Sequence, residues 1–365
     1  MSSTRDKPHV QDSGAESIAL FEEDGFVWAV PRSGGEAMTE NSKTPYASVI
    51  VPTYGERPVY LNDALRSVQG QRLAGAEYEI VVIDNSPTGS AIETVNDVNR
   101  DAVRPVRYAR EPRAGLHNAR HAGAREAHGE ILVYIDDDVI VDQDWLKAVV
   151  SPFRDPQVGC VGGKAVPLWE AALPDWYLQF DAGYLSLLDL GEETKELKWP
   201  ACVWGCNMAV RKSVLFSVGG FNPDGVGNKK RIWLRGDGEC GLQEKIYKNG
   251  FKTVYEPKAW LQHRIPASRL TIEYFYWRLF TQGVQESYER VRRNRGQRLL
   301  IVRLLAHSAF CFLKAAHKYQ GSLRHVNSRV RLRADAWSWY GRGQHQLRTA
   351  LSTSLRKHVL QESYL

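Results

Sequence analysis

Apolar and polar positions along the chain fall into two alternating rhythms. Apolar runs rich in β-branched residues fill the segments 48–52, 79–83 and 131–135, the first two opening on Ser48 and Glu79. They read as strands buried on both faces, since a strand with one wet face alternates apolar and polar positions. Between them the period lengthens to that of a helix. Leu61, Ala64, Leu65 and Val68 share one side of a predicted helix over 60–71, and further helices are predicted near 91–99 and over 117–127, with a short strand at 106–109. Such alternation predicts an α/β fold, a mostly parallel sheet flanked by helices. Past Trp145 the rhythm loosens into mixed strands at 158–161 and 202–211, joined by long connections holding Trp169, Trp176, Trp199 and Trp204. A helix over 239–249 stops at Gly250, a suitable C-cap, before a strand at 252–255. From Leu270 the pattern is helical to the end. Residues 1–18 are polar and read as disordered, and 19–44 as a short hairpin or edge segment. The division this implies is a tail at 1–44, a body at 45–290 whose halves meet near 145, and a helical extension at 291–365.

Charge sharpens the view of the extension. Between 290 and 358 there are 16 Lys/Arg against one acid, Asp335, so this segment carries +15 of a net +6 and the rest of the chain is left at −9. Such a basic segment predicts an anionic partner: membrane headgroups, an acidic acceptor or nucleic acid. Within it, 299–312 is strongly apolar but broken by Arg303 and His307 and too short to span a bilayer. It fits an interfacial helix, or one that pairs with a second copy of the chain. The five cysteines (Cys160, Cys202, Cys206, Cys240, Cys311) are odd in number and lack framework spacing, and no signal peptide opens the chain. Buried reduced thiols in a cytoplasmic protein are expected. Cys202 and Cys206 have no second Cys/His pair at zinc spacing.

Chemistry concentrates where the strand at 131–135 ends. Asp136-Asp137-Asp138 interrupts an otherwise apolar stretch, because Val139-Ile140-Val141 follows it. A solvated acidic turn would sit in polar surroundings. Ionised carboxylates are costly to bury unpaired, so these three must emerge at the strand's C-terminal edge, where open α/β sheets bind ligands. Clustered hard oxygens there suit Mg2+ or Mn2+ shared with substrate phosphates.

Other segments stand in order around that triplet. Val51-Pro52-Thr53-Tyr54-Gly55-Glu56 follows the first strand, and Ile83-Asp84-Asn85-Ser86 the second. Gly115-Leu116-His117-Asn118-Ala119-Arg120 enters the helix before the triplet, and Gly236-Asp237-Gly238-Glu239-Cys240-Gly241-Leu242 comes last. Together they resemble the family 2 glycosyltransferases of the GT-A fold, over roughly residues 46–290. The resemblance implies a nucleoside-diphosphate sugar donor, UDP-linked by preference, a divalent metal, and inverting transfer to a hydroxyl of a glycan, glycolipid or small molecule. It makes 45–145 the nucleotide-binding half and 146–290 the acceptor half. Pro52, Thr53, Tyr54 and Glu56 would then meet the nucleotide. Asp84 would accept from the nucleobase or ribose, although Asp-Asn-Ser-Pro is turn chemistry in its own right. Arg120 would reach the base or diphosphate, Asp136 the ribose or metal, and Asp137 the donor, while Asp138 would ligate the metal directly. His263 matches a histidine that relatives place near metal or diphosphate.

Inversion needs a carboxylate across the sugar to deprotonate the acceptor. Alignment on Leu242 puts Glu239 at that position and Gly238 where a preceding acid is usual, with Asp237 displaced by one and read mainly as an N-cap. Trp204 and Asn207 fit the segment lining the sugar and acceptor pocket. The QxxRW signature of processive synthases is absent and no transmembrane bundle follows, which favours single addition in glycan or envelope polysaccharide synthesis. Two other readings stand beside this one. A sugar-nucleotide pyrophosphorylase would want a glycine- and lysine-rich loop in place of Pro52-Thr53-Tyr54-Gly55-Glu56. A nucleic-acid-binding protein would use the basic segment, which lacks a recognition motif. The expected partners are the nucleotide sugar and its acceptor, with an anionic inner membrane face or a second copy at the C-terminal helices.

Overall fold

The computed structural model describes residues 18–23, 26–31, 45–73, 77–224 and 229–365, with 18–23, 26–31 and 229–230 as backbone only. β1 (Ile18–Glu23) and β2 (Phe26–Pro31) pair antiparallel, in keeping with a hairpin within 19–44; the rest of 1–44 lies outside the described residues.

β3 (Ala47–Thr53), β4 (Tyr78–Asp84), β5 (Val106–Arg110) and β6 (Ile131–Ile135) alternate with α1 (Pro58–Gln69), α2 (Ala91–Asn99) and α3 (Leu116–Glu126). The strands lie in the order β5-β4-β3-β6, all parallel. Their residues alternate between two cores. Val49, Val51, Ile80, Val82, Ile131 and Val133 pack with α1 and α2, whereas Ile50, Val81, Ile83, Leu132 and Tyr134 pack with α3. Both faces are therefore dry, which is why the runs are continuously apolar.

The sheet continues through β7 (Val139–Val141), α4 (Trp145–Val150), β8 (Val158–Trp169), β9 (Lys195–Leu197), β10 (Asn207–Arg211), α5 (Lys212–Ser217), α6 (Gly238–Lys248) and β11 (Lys252–Ile265). The order is β6-β10-β8-β11-β7, with β9 on β11. β10 runs antiparallel to both β6 and β8, β8 and β11 are parallel, and β7 and β9 are antiparallel to β11. The parallel arrangement thus belongs to the first half, and the second half is mixed. Ile135, the last residue of β6, sits opposite Asn207, the first of β10. The acidic triplet consequently opens beside the loop that enters β10, where the sheet changes direction.

α7 (Ile272–Arg293), α8 (Leu300–Arg324), α9 (Arg329–Leu351) and α10 (Thr353–Leu360) complete the chain. α7 crosses residue 290, and its Phe275 and Leu279 share a core with Leu185, Ile265 and Ala334. Its Tyr288 and Val291 share another with Leu304, Leu355 and Val359. The basic extension continues the body's packing rather than trailing from it. Cys160, Cys206 and Cys311 are buried free thiols, but Cys202 and Cys240 are disulfide-bonded, with Cα atoms 5.8 Å apart. The expectation of a fully reduced chain is corrected, and with it goes the cysteine-based ground for a cytoplasmic location.

Ile50 is fully buried against α3, where a Cβ on Gly123 would meet it at 2.3 Å. Ile50→Ala should cost about 2–5 kcal/mol, read from urea unfolding followed by circular dichroism.

Candidate active site

The C-terminal ends of β3 and β6 frame a cleft of about 260 Å³ that Pro52, Thr53, Tyr54, Glu56, Asn85 and the triplet line, with Arg57 and Arg269 in its wall. Thr53 donates its hydroxyl proton to Asp137 and accepts from the Gly55 N–H. Burial, and then the neighbouring Asp138 charge, push Asp137 up to about 7. Asp138 is 3% exposed. Burial alone would raise its pKa, but the His263 imidazole and the Arg269 and Arg57 guanidiniums hold it down at about 2.

β7 is the reason His263 is there. It turns back after the triplet and pairs with β11, so that His263 lies opposite Val139. His263 Nε2 comes within 3.2 Å of Asp138 Oδ1, and ligand atoms of Asp136, Asp138 and His263 all lie within 4.8 Å of one another. Asp138 Oδ1 is buried with no hydrogen-bond partner, so that oxygen retains capacity for a ligand. Two carboxylates and an imidazole suit Mn2+ or Mg2+.

Across from this cluster stands Glu239, in the first turn of α6. Gly238 before it has φ +49°, and a Cβ there would lie 2.9 Å from Asp224 Oδ2, so the acid usual at that position does not fit. Glu239 Oε1 accepts from Gly205 N at 3.4 Å and Oε2 from Arg120 Nη1 at 3.4 Å. Arg120 is 2% exposed, and its Nη2 lies 3.6 Å from Asp136 Oδ1. A Cβ on Gly205 would come within 2.2 Å of Arg120, so the close approach requires glycine there. Arg120 therefore braces two carboxylates, one from β6's end and one from α6. Burial raises the pKa of Asp136 and of Glu239, with Arg120 opposing it at both.

Asp237 occupies the N-cap position of α6 without a capping bond from its side chain. It accepts instead from Asn222 Nδ2 at 2.7 Å, and burial pushes it up to about 7. The Glu239 side chain keeps 18% exposure while Asp237 is 6% exposed, which favours Glu239 as the group open to substrate.

Three other expected residues are engaged elsewhere. Asp84 is fully buried and accepts from Ser86 N, Ala91 N and the Tyr108 hydroxyl, so it anchors the turn into α2. Asn207 accepts from Trp145 Nε1 and donates to the carbonyls of Lys164 and Ala259, tying α4, β8 and β11 together. Trp204 is half-buried, with Nε1 on the Leu187 carbonyl. Arg57 and Arg269, both on Asp138, went unread in the sequence. Arg57 stands next to Glu56 in the first motif, which was a usable signal; Arg269 had none.

A sheet that changes direction beside a carboxylate–histidine cluster opens a ligand site at its strand ends, and relatives of this chain are glycosyltransferases. The glycosyl transferase family 2 profile matches residues 48–216, and the chain belongs to that family. It is 27% identical over 242 residues to a glucosyl-dolichyl phosphate glucuronosyltransferase of Haloferax volcanii, an alignment covering 65% of this chain and 74% of the relative. It is 33% identical over 133 residues to an N-acetylglucosaminyltransferase of Bradyrhizobium elkanii, covering 33% of this chain and 67% of the relative. Among solved structures, a mannosyltransferase of Pyrobaculum calidifontis in complex with GDP-Man and Mn2+ aligns with TM-score 0.48 and 19% identity, covering 85% of this chain and 87% of that one. Membership of this family sets aside the pyrophosphorylase alternative.

Asn207→Ala would strand one indole N–H and two carbonyls. It should lower stability by about 3 kcal/mol or more while leaving KM for acceptor unchanged, measured by thermal unfolding beside steady-state kinetics. A raised acceptor KM at unaltered stability would return Asn207 to the acceptor pocket.

Proposed function

We propose that the protein is an inverting, metal-dependent transferase that adds a single sugar from a nucleoside-diphosphate sugar, UDP-linked by preference, to a hydroxyl of a lipid-linked glycan at a membrane surface. The observation that carries this reading is Arg120, whose one buried guanidinium pairs with Asp136 on the donor side and Glu239 on the acceptor side. The end of β3 would seat the nucleotide, with Tyr54 against the base. A divalent ion held by Asp136, Asp138 and His263 would neutralise the charge that develops on the departing nucleoside diphosphate. Glu239 would take the acceptor hydroxyl's proton as that oxygen attacks the anomeric carbon from the face opposite the diphosphate. The new glycosidic bond forms as the bond to the diphosphate breaks, and the configuration inverts.

α8 supports the membrane. It turns Leu304, Ser308, Cys311, Ala315 and Ser322 inward and leaves Ile301, Val302, Leu305, Phe310 and Leu313 exposed. By length and composition it is the one helix among the described residues able to cross a membrane. Arg303, Lys314 and Lys318 interrupt it, which favours lying in the headgroup plane. A groove of about 1170 Å³ between α8 and α10 sets Leu299, Ile301, Val302 and Leu360 beside Arg356 and Lys357, a lining suited to an anionic lipid. The relative named for glucosyl-dolichyl phosphate points the same way for the acceptor.

Glu239→Gln should keep donor affinity and lose about two or more orders of magnitude in turnover. The working form of Glu239 is the carboxylate, and burial raises its pKa above the ordinary 4.5. Wild-type kcat/KM should accordingly fall as pH drops through that raised value, and the Gln variant should lack this limb. A larger loss in Asp237→Asn, with α6 intact, would reverse the two assignments.

Replacing Val302 and Leu313 together by glutamate should leave the melting temperature unchanged and abolish co-sedimentation with phosphatidylglycerol vesicles. If the wild type ignores such vesicles at low salt and runs as a dimer that this variant dissolves, the face is a subunit contact.

A further inference from the structure

Two cations beside Asp138 have no part in the transfer chemistry above. Arg269 closes the short turn Ala267–Arg269 that follows β11. Its Nη2 donates to Asp138 Oδ2 at 2.9 Å, and its Nη1 lies 3.2 Å from His263 Nε2. It therefore engages two of the three residues of the metal cluster at once. Arg57 adds its Nη1 to the same Asp138 oxygen at 3.2 Å. A guanidinium has no lone pair and can only donate, so at Asp138 Oδ2 and His263 Nε2 it takes up electron pairs that a divalent ion there would use, and leaves Asp138 Oδ1 open. Arg269 and the ion are competitors for one set of ligands.

Charge indicates what resolves the competition. The carboxyl groups of Asp136, Asp137, Asp138 and Glu239 are met by the guanidiniums of Arg57, Arg120 and Arg269, so the site carries at most one uncompensated negative charge. A lone divalent ion would leave a net positive charge in a poorly solvated pocket, where like charges repel far more strongly than in water. The same ion arriving with a nucleoside diphosphate restores the balance. Arg269 lines the cleft along with Thr53 and Tyr54 and keeps 23% side-chain exposure, so it can turn towards a ligand there. Diphosphate oxygens match its planar fork and offer it a replacement for Asp138.

We propose that Arg269 is an internal counter-ion that occupies the Asp138–His263 ligands until the donor arrives and then passes to the diphosphate, so that metal and nucleotide bind cooperatively. This makes Arg269 a positioning residue, and the idea rests on the metal-dependent transferase reading.

The test is Mn2+ binding to the full-length protein, followed by electron paramagnetic resonance, alone and with saturating UDP or GDP. Wild-type protein should bind Mn2+ about tenfold or more tightly with nucleoside diphosphate than without, within the usual span of coupling between sites. Arg269→Gln should tighten binding of Mn2+ alone by about the same factor and lose most of the coupling, whereas Arg269→Lys, which keeps the charge, should retain much of it. An Arg269→Gln protein that melts normally and binds Mn2+ alone no better than wild type overturns the proposal. If neither protein binds Mn2+ under any condition, the counter-ion role and the metal cluster fall together. If the coupling behaves as stated but no sugar nucleotide is turned over, the transferase reading fails and the role of Arg269 stands.

Discussion

A guanidinium removed from water must be matched by carboxylates close at hand, and Arg120 is almost wholly removed from water. Its partners come from distant parts of the chain: Asp136 from the end of β6 and Glu239 from the first turn of α6. Gly205, in the loop before β10, gives it room, and the Phe221 ring lies 5.3 Å from it. Loss of either carboxylate would leave a buried charge half-compensated, at about 3–5 kcal/mol. The brace thus sets the relative position of the end of β6 and the first turn of α6. The Cys202–Cys240 disulfide joins that same loop to that same helical turn. Ion pair and covalent link constrain one junction.

The two halves of the sheet divide the remaining work. Parallel β3, β4 and β6 bring motif ends to one edge, as crossover helices require. The mixed half brings in what local sequence does not supply. β7 folds back on β11 and delivers His263 to Asp138, and antiparallel β10 carries the Gly205 loop over Arg120. α7 and α9 then pack on the body through Phe275, Leu279 and Ala334, which fixes α8 with its large apolar side chains outward. That inverted burial gives the catalytic body an exposed apolar helix face.

The buried strands, the helices between them, the triplet at the end of β6 and Glu239 in a helix's first turn were all readable from the chain, because each follows from periodicity or from chemistry within a few residues. Residues whose partners only the fold supplies have a different character. Asp84, Arg120 and Asn207 are polar groups whose need for a partner is plain in the sequence but whose partner is not. In the fold, Asp84 finds the start of α2, Arg120 finds two carboxylates and Asn207 finds a tryptophan and two carbonyls. The disulfide was hidden for the same reason, its cysteines being 38 residues apart.

The sequence by itself determined which segments are strand or helix, which strand ends in carboxylates, and that the charge gathers in the last part of the chain. These depend on local hydrophobic period and on the cost of burying a charge, both of which act at short range along the chain. Tertiary structure alone decided the reversal of the sheet at β10, the meeting of His263 with Asp138, the arrival of Arg57 and Arg269 on that carboxylate, and the outward face of α8. Each of these pairs groups from far-apart segments, and such pairings are fixed only when the whole core closes and every buried polar atom competes for the partners within reach.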